Sequence, residues 1–382
     1  MAIRSAISGF RPAAPLLVAV AALAAASWQG AALRHARHEA NPAPAVESLS
    51  GTSAPLVSFA AVALGGFRGL IADLLWLRAS DLQEHRRFVE LVQLSDWITQ
   101  LEPTNDDVWI FHAWNLSYNV SFLLSRPEDQ WSWIENGISL LRDRGIPLNP
   151  QSPALKRELG WIFQHKIGMA SEEAGGPFRT FWAREVAGYL GENGAAPEAG
   201  SLAEEELAET LRLDAAFMRR LEAEYGAIDW RVPAAQSLYW ARRGLECPCT
   251  DPEDLSCRRM VYSSLMEMAR RFGRVVGNPA GDEEWAFQAV PNLALLDAAI
   301  AETEATMARH AFAGVRHAYV WFLHDAILLR AMEGNKAASL AYHRKFVDFF
   351  QDHGVSVPAD YEAFPTLSED QISNFLADAG YP

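Results

Sequence analysis

A frame of a proline followed by an apolar and then a small residue occurs twice in this chain of 382 residues and strongly limits its fold. In the first copy, Pro103 precedes Trp109. In the second copy, Pro150 precedes Leu159 and Gly160. A proline ends one helix, and the residues after it allow the next helix to pack closely, so the frame is typical of stacked helical hairpins.

The rest of the chain also predicts helices, because apolar residues recur every three to five positions from about residue 64. The pattern places a hairpin at Val108–Leu124 and Glu128–Arg144. It predicts one charged helix over 202–225 and one long or kinked helix over 292–332. Residues 273–291 are rich in glycine and proline and are predicted to be irregular. No alternating β pattern is found, so the predicted fold class is all-α.

The amino-acid composition limits the classes of function and partner that we expect for this chain. Half of the residues are hydrophobic and thirteen are tryptophan, so a large core with aromatic helix contacts can form. The net charge of -15 argues against nucleic acid as a partner, because phosphate binding needs clustered Lys and Arg. Positive charge is carried almost entirely by arginine, and alanine is abundant, which indicates a GC-rich bacterial genome.

The N-terminus predicts a membrane segment. Residues 12–33 form an uncharged run that is long enough to cross a bilayer as a helix. Because 24–26 also offer a signal-peptidase site, residues 1–37 are either a retained anchor, which we favour, or a cleaved signal. Residues 38–55 are a Pro/Ala/Ser linker, and 56–382 form the all-α domain. We expect a single-pass protein of the bacterial cytoplasmic membrane with most of the chain outside the cytoplasm.

The hairpin frame resembles the tetratricopeptide repeat, or TPR, a helix–turn–helix unit of 34 residues. With Pro103 as the closing proline of one unit, Trp109 and Ala113 occupy the aromatic and small positions. With Pro150 in that role, Leu159, Gly160 and Phe163 occupy the leucine, glycine and aromatic positions of the next unit. The resemblance is clear over residues 101–168, a little under a fifth of the chain, and implies an irregular TPR-like solenoid.

In TPR proteins the first helix of each hairpin lines a concave groove, and the resemblance implies which residues line it here. The implied partner-binding residues are Asp107, Ile110, Trp114, Ser117, Tyr118, Arg157, Trp161, Gln164 and His165. This mixture of aromatic and hydrogen-bonding groups suits a peptide or a helix. The alternative is that Trp114 and Trp161 only pack between hairpins.

Three cysteines, Cys247, Cys249 and Cys257, lie close together in the sequence. In an exported protein a disulfide between Cys257 and one of the other two is the favoured interpretation. A zinc site would need a fourth ligand, and no histidine is near in sequence, so we expect no metal. We also expect no cofactor.

These observations favour a membrane-anchored, exported helical-repeat protein that binds protein partners as a scaffold subunit of an envelope or secretion assembly. Catalytic residues are not assigned, because no hydrolase, nucleotide or metalloprotease motif is present. The alternative is an all-α enzyme acting on glycans or cell-wall polymers in a Trp-lined cleft, with Asp106, Asp107, Asp229 or Glu283–Glu284 as its acids. A structural subunit covered by an oligomeric partner also remains open.

Overall fold

The computed structural model describes residues 68–169, 175–277, 279 and 285–381. These residues are almost entirely helical, which confirms the all-α class. None of the described helices is long and apolar enough to cross a bilayer. The predicted membrane segment at 12–33 and the linker at 38–55 lie outside the described residues.

The chain divides into two compact units, 1–112 and 113–382. In the first unit, α1 (Arg68–Glu84) and α2 (Phe88–Leu101) form a hairpin, and the division falls within α3 (Asp106–Trp114). The apolar faces of this hairpin form a small core with Val108. The members of that core are Ala79, Leu82, Leu91, Leu94, Ile98 and Val108.

The first proline frame has a direct structural role. The indole Nε1 of Trp109 donates a hydrogen bond to the carbonyl of Pro103 at 2.9 Å, and the ring is buried. The turn that ends α2 is therefore tied to the first turns of α3. The carboxylates of Asp106 and Asp107 lie in that first turn, where negative charge opposes the helix dipole.

The second unit contains the remaining helices. They are α4 (Pro127–Ser139), α5 (Pro153–Trp161), α6 (Gly175–Ala187), α7 (Leu202–Leu211), α8 (Ala215–Tyr225), α9 (Pro233–Leu245), α10 (Asp251–Arg270), α11 (Leu296–Arg309), α12 (Ala313–Met332), α13 (Lys336–Asp352) and α14 (Glu369–Asp378).

Helix α9 packs against α5 and α10, α10 packs against α11, and α12 packs against α13. Gly160 explains why α5, α9 and α10 approach each other closely. A Cβ atom at this position would lie 2.7 Å from the Met260 sulfur and 3.2 Å from the Ser237 carbonyl. The small residue of the second frame therefore allows α5 to contact α9 and α10 at once.

The prediction of a single helix over 202–225 is wrong, because two helices, α7 and α8, occupy this range. Arg212 takes a left-handed conformation with φ of 53° after α7. The Asp214 side chain then accepts a hydrogen bond from the Phe217 amide at 3.0 Å and caps α8.

The range 292–332 is likewise divided into α11 and α12. His310 is extended at the end of α11, and its Nε2 atom lies 2.6 Å from the Asp254 carboxylate on α10. Burial alone would raise the pKa of Asp254. Hydrogen bonds from His310 and Arg258, with the charges of Arg258 and Arg309, outweigh that effect and lower it. This ion cluster fixes the break between α11 and α12 against α10.

The region predicted to be irregular contains one short antiparallel pair. Strand β1 (Arg274–Val275) pairs with β2 (Ala289–Val290), with Arg274 opposite Val290 and Val275 opposite Ala289. The Asp229 carboxylate accepts a hydrogen bond from the Val275 amide at 2.7 Å. The pair is thereby attached to the segment before α9.

Candidate functional site

Four of the residues implied by the TPR resemblance form a continuous series of ring contacts in the second unit. Trp114 stacks on Tyr118 with ring centres 5.5 Å apart. Tyr118 contacts His165 at 5.7 Å, and His165 stacks on Trp161 at 4.9 Å. We call Trp114, Tyr118, His165 and Trp161 the aromatic row. The structure thus brings together side chains from two separate hairpins.

The backbone beneath the aromatic row is π-helical. The end of α3 continues as the π-helical segment Asn115–Val120, which carries Tyr118, and the end of α5 continues as Ile162–Ile167, which carries His165. The Gly168 amide donates to the Phe163 carbonyl at 2.9 Å, a bond across five residues. Such wide turns are rare and are found frequently at functional sites.

Two exposed apolar side chains lie close in sequence to the two halves of the aromatic row. Phe122 lies four residues after Tyr118 and is 80% exposed, while Met169 lies four residues after His165 and is 41% exposed. Trp114 itself is 37% exposed, so the row is not enclosed in the core. Sequence reasoning did not single out Phe122 or Met169.

A buried lysine lies beneath the aromatic row. The Lys166 ammonium is 5.6 Å from the centre of the Tyr118 ring and 5.7 Å from that of Phe178. These cation–π contacts link the buried ammonium group to the Tyr118 and Phe178 rings. Lys166 was also missed by sequence reasoning, because a helical lysine beside a histidine is not distinguishable from a solvent-exposed one.

Other predicted groove residues have different surroundings. Ser117 is fully buried, and a Cβ atom at Gly137 would lie 2.1 Å from its hydroxyl, so Ser117 fills the contact with α4. Arg157 pairs with the buried Glu158 carboxylate at 2.8 Å. Gln164 donates from Nε2 to the Ser263 hydroxyl on α10 at 2.9 Å. The structure therefore does not bring these three side chains into the aromatic row.

Two further predicted groove residues, Asp107 and Ile110, belong to the first unit. Asp107 is exposed, and its amide donates to the Asn105 side chain at 3.2 Å. Ile110 is partly buried. Their role in partner binding stays a prediction.

All three cysteines are free thiols in this structure, so it does not contain the expected disulfide. The Cys247 sulfur lies 2.7 Å from the buried Lys156 ammonium, which also donates to the Pro150 carbonyl at 2.6 Å. Cys257 is buried against Gly244, where a Cβ atom would lie 3.0 Å from its sulfur. Burial raises the pKa of the Cys257 thiol to about 12, so this thiol is neutral at physiological pH. Within the described residues, no group of three or more His, Cys, Asp or Glu side chains could hold a metal ion.

The acidic residues named for a glycan-active enzyme have structural contacts. Asp229 is buried and forms a two-point ion pair with Arg231, at 2.8 and 2.7 Å, in addition to its bond from the Val275 amide. Asp106 and Asp107 begin α3. Glu283 and Glu284 lie outside the described residues. Comparisons with protein-family models, with curated proteins and with solved structures find no match for this chain.

Proposed function

We propose that this protein binds a protein partner through the aromatic row, as a membrane-anchored, TPR-like scaffold subunit of a bacterial envelope or secretion assembly. The observation that carries the proposal is the continuous contact from Trp114 through Tyr118 and His165 to Trp161, with Trp114 exposed and the exposed Phe122 and Met169 nearby in sequence. Contiguous exposed apolar surface is typical of interaction sites.

The chemistry of the surface favours an apolar segment of a protein, such as an amphipathic helix. Tryptophan and tyrosine bury large areas at low cost in side-chain entropy, and they dominate binding energy at protein interfaces. Methionine adapts its shape to different partners. His165 adds polar ring nitrogens beside the Tyr118 and Trp161 rings. In this proposal the apolar run at 12–33 supplies the membrane attachment.

The test is to quantify the proteins that the full-length, tagged protein retains in native membranes. Changing Trp114 and Trp161 together to Ala should reduce the principal retained protein by about tenfold or more, because interface hot spots contribute about 2 kcal/mol or more each. The matched control is Phe312→Ala, which truncates another exposed aromatic side chain of the second unit. Equal retention by the wild-type protein, the double variant and the control would contradict the proposal.

A further inference from the structure

A cavity of about 540 Å³ in the second unit lies between the end of the π-helical segment Ile162–Ile167, α6, the start of α9 and the end of α10. Gln164 lines this cavity, whereas the adjacent His165 belongs to the aromatic row. Three arginines also line it: Arg179, Arg270 and Arg271.

Arg179, on α6, is only 9% exposed. Its Nη1 atom donates to the carbonyls of Gly168 at 3.2 Å and Met169 at 3.3 Å. Its Nε atom is buried and has no hydrogen-bond partner in the described part of the chain. Burial lowers the pKa of Arg179, the positive charge of Arg271 lowers it further, and Glu267 opposes both. Because a guanidinium stays charged in proteins, the fold holds a buried cation that is incompletely compensated.

The Glu267 carboxylate, which lines the cavity, and the nearby Asp325 carboxylate both form ion pairs with arginines. Arg270 pairs with Glu267 at 3.2 Å and with Asp325 at 3.1 Å. Arg271 is 3.9 Å from the other oxygen of Glu267. Among the described residues, no carboxylate forms an ion pair with Arg179. Among the described residues that line the cavity, three arginines therefore accompany one carboxylate, that of Glu267, and Arg179 is the arginine without an ion pair.

An aromatic ring holds these two guanidinium groups in place. The Phe272 ring centre is 5.0 Å from the central carbon of the Arg179 guanidinium and 5.5 Å from that of Arg271. Stacking on an aromatic face fixes the plane of a guanidinium and leaves its edge to donate hydrogen bonds. Phe272 also gives the cavity an apolar wall.

The start of α9 contributes to the same cavity. Val232, Pro233 and Ala234 line it, and no described side chain caps this helix of 13 residues. The N-terminus of a helix carries partial positive charge, which favours an anion, although Pro233 itself has no N–H to donate. The Ser263 hydroxyl, which accepts from Gln164, is a further polar group in the wall.

We propose that this cavity binds a small organic anion through its phosphate or carboxylate group. Arg179 and Arg271 contact the oxyanion, and the apolar remainder of the ligand lies against Phe272 and Val232. A planar guanidinium donates two parallel hydrogen bonds to either kind of oxyanion. The inference goes beyond partner binding at the aromatic row and does not depend on it.

The test is calorimetric titration of the full-length protein with four probes: phenyl phosphate, benzoate, inorganic phosphate and the neutral benzyl alcohol. We expect saturable binding of phenyl phosphate or benzoate, and the stronger of the two identifies the oxyanion. Inorganic phosphate should bind more weakly than phenyl phosphate because it lacks the apolar part. Absence of saturable binding by both organic anions, or equally tight binding of benzyl alcohol, would overturn the proposal.

The variant Arg271→Ala should weaken the favoured anion by about tenfold or more, since hydrogen bonds to charged groups contribute roughly 1.5–3 kcal/mol. Its matched control is Arg220→Ala. Arg220 is also exposed, stacks on a phenylalanine (Phe217, at 4.8 Å) and pairs with a glutamate (Glu246, at 3.2 Å). Arg179→Gln should abolish binding, with melting curves to establish that it folds. If Arg179→Gln does not fold, the anion affinity of Arg271→Ala is the test. Equal weakening of anion binding by Arg271→Ala and by Arg220→Ala would contradict the proposal.

Discussion

Burial determines the charge of Glu185, on α6, near neutral pH. Desolvation and then the nearby negative charge of Glu135 raise the pKa of Glu185 to about 7, although Arg142 opposes this change. The ordinary value is 4.5. Between these two pH values the folded protein binds a proton at Glu185 that the unfolded chain does not bind. This carboxyl group therefore makes the free energy of unfolding fall as the pH rises from about 4.5 to 7.

The variant Glu185→Gln should remove this pH dependence. At pH 8 it should be more stable than the wild-type protein, by at most about 3 kcal/mol, because ionisation no longer opposes burial. At pH 4 the two should have similar stability. Urea unfolding at both pH values measures the difference, with Glu209→Gln, at an exposed position on α7, as the control. A gain for Glu185→Gln of the same size at pH 4 and pH 8 would contradict this account.

Single residues show which contacts a sequence can predict. Trp109 and Pro103 are six positions apart, so their frame was visible in the sequence, and the structure joins them by a hydrogen bond. Lys156 and Cys247 are separated by 91 positions, and their contact depends on α5 packing against α9. No local pattern predicts such a pair. The expected disulfide considered only cysteines that are neighbours in sequence.

At the scale of elements, a glycine sets the distance between α4 and the π-helical segment Asn115–Val120. A Cβ atom at Gly137 would lie 2.1 Å from the Ser117 hydroxyl and 3.0 Å from the Ala113 carbonyl. We predict that Gly137→Ala lowers the free energy of unfolding by roughly 1–3 kcal/mol, the usual cost of overpacking. Thermal unfolding measures this loss.

The control for that variant is Gly176→Ala, near the start of α6, where a Cβ atom would meet nothing within 4 Å. This change should be neutral or stabilise the protein by up to about 1 kcal/mol, because alanine favours a helix. Adding Ser117→Ala to Gly137→Ala should restore part of the loss by removing the hydroxyl. If Gly137→Ala unfolds at the same temperature as Gly176→Ala, the close approach of the two elements is incorrect.

Periodicity predicted that helices exist but not where they break. The break after α7 depends on Arg212, a residue type that rarely adopts a left-handed conformation. The break after α11 depends on His310 meeting Asp254 on another helix. The π-helical segments share no distinctive amino-acid composition that would separate them from α-helices in the sequence. Local apolar spacing does not show any of these features. The prediction from spacing therefore continued each helix through the breaks after α7 and α11.

At the scale of the whole molecule, the two proposed sites differ in how far the sequence revealed them. The TPR resemblance singled out all four members of the aromatic row, because each hairpin repeats the same local frame. The arginine cavity was not predicted, because Arg179 and Arg271 come from α6 and the end of α10 and are brought together by Phe272. Arginine is also common throughout this chain, so neither residue was conspicuous.

The most direct test of the central proposal is site-specific photo-crosslinking of the full-length protein in its native membranes. In the test, a photoreactive phenylalanine analogue replaces the exposed Phe122. In the control, the same analogue replaces Met332, which is 84% exposed. We predict a discrete protein adduct from position 122 that is lost when Trp114 and Trp161 are also changed to Ala, and no such adduct from position 332. The absence of an adduct at position 122, or the same adduct from both positions, would contradict partner binding at the aromatic row.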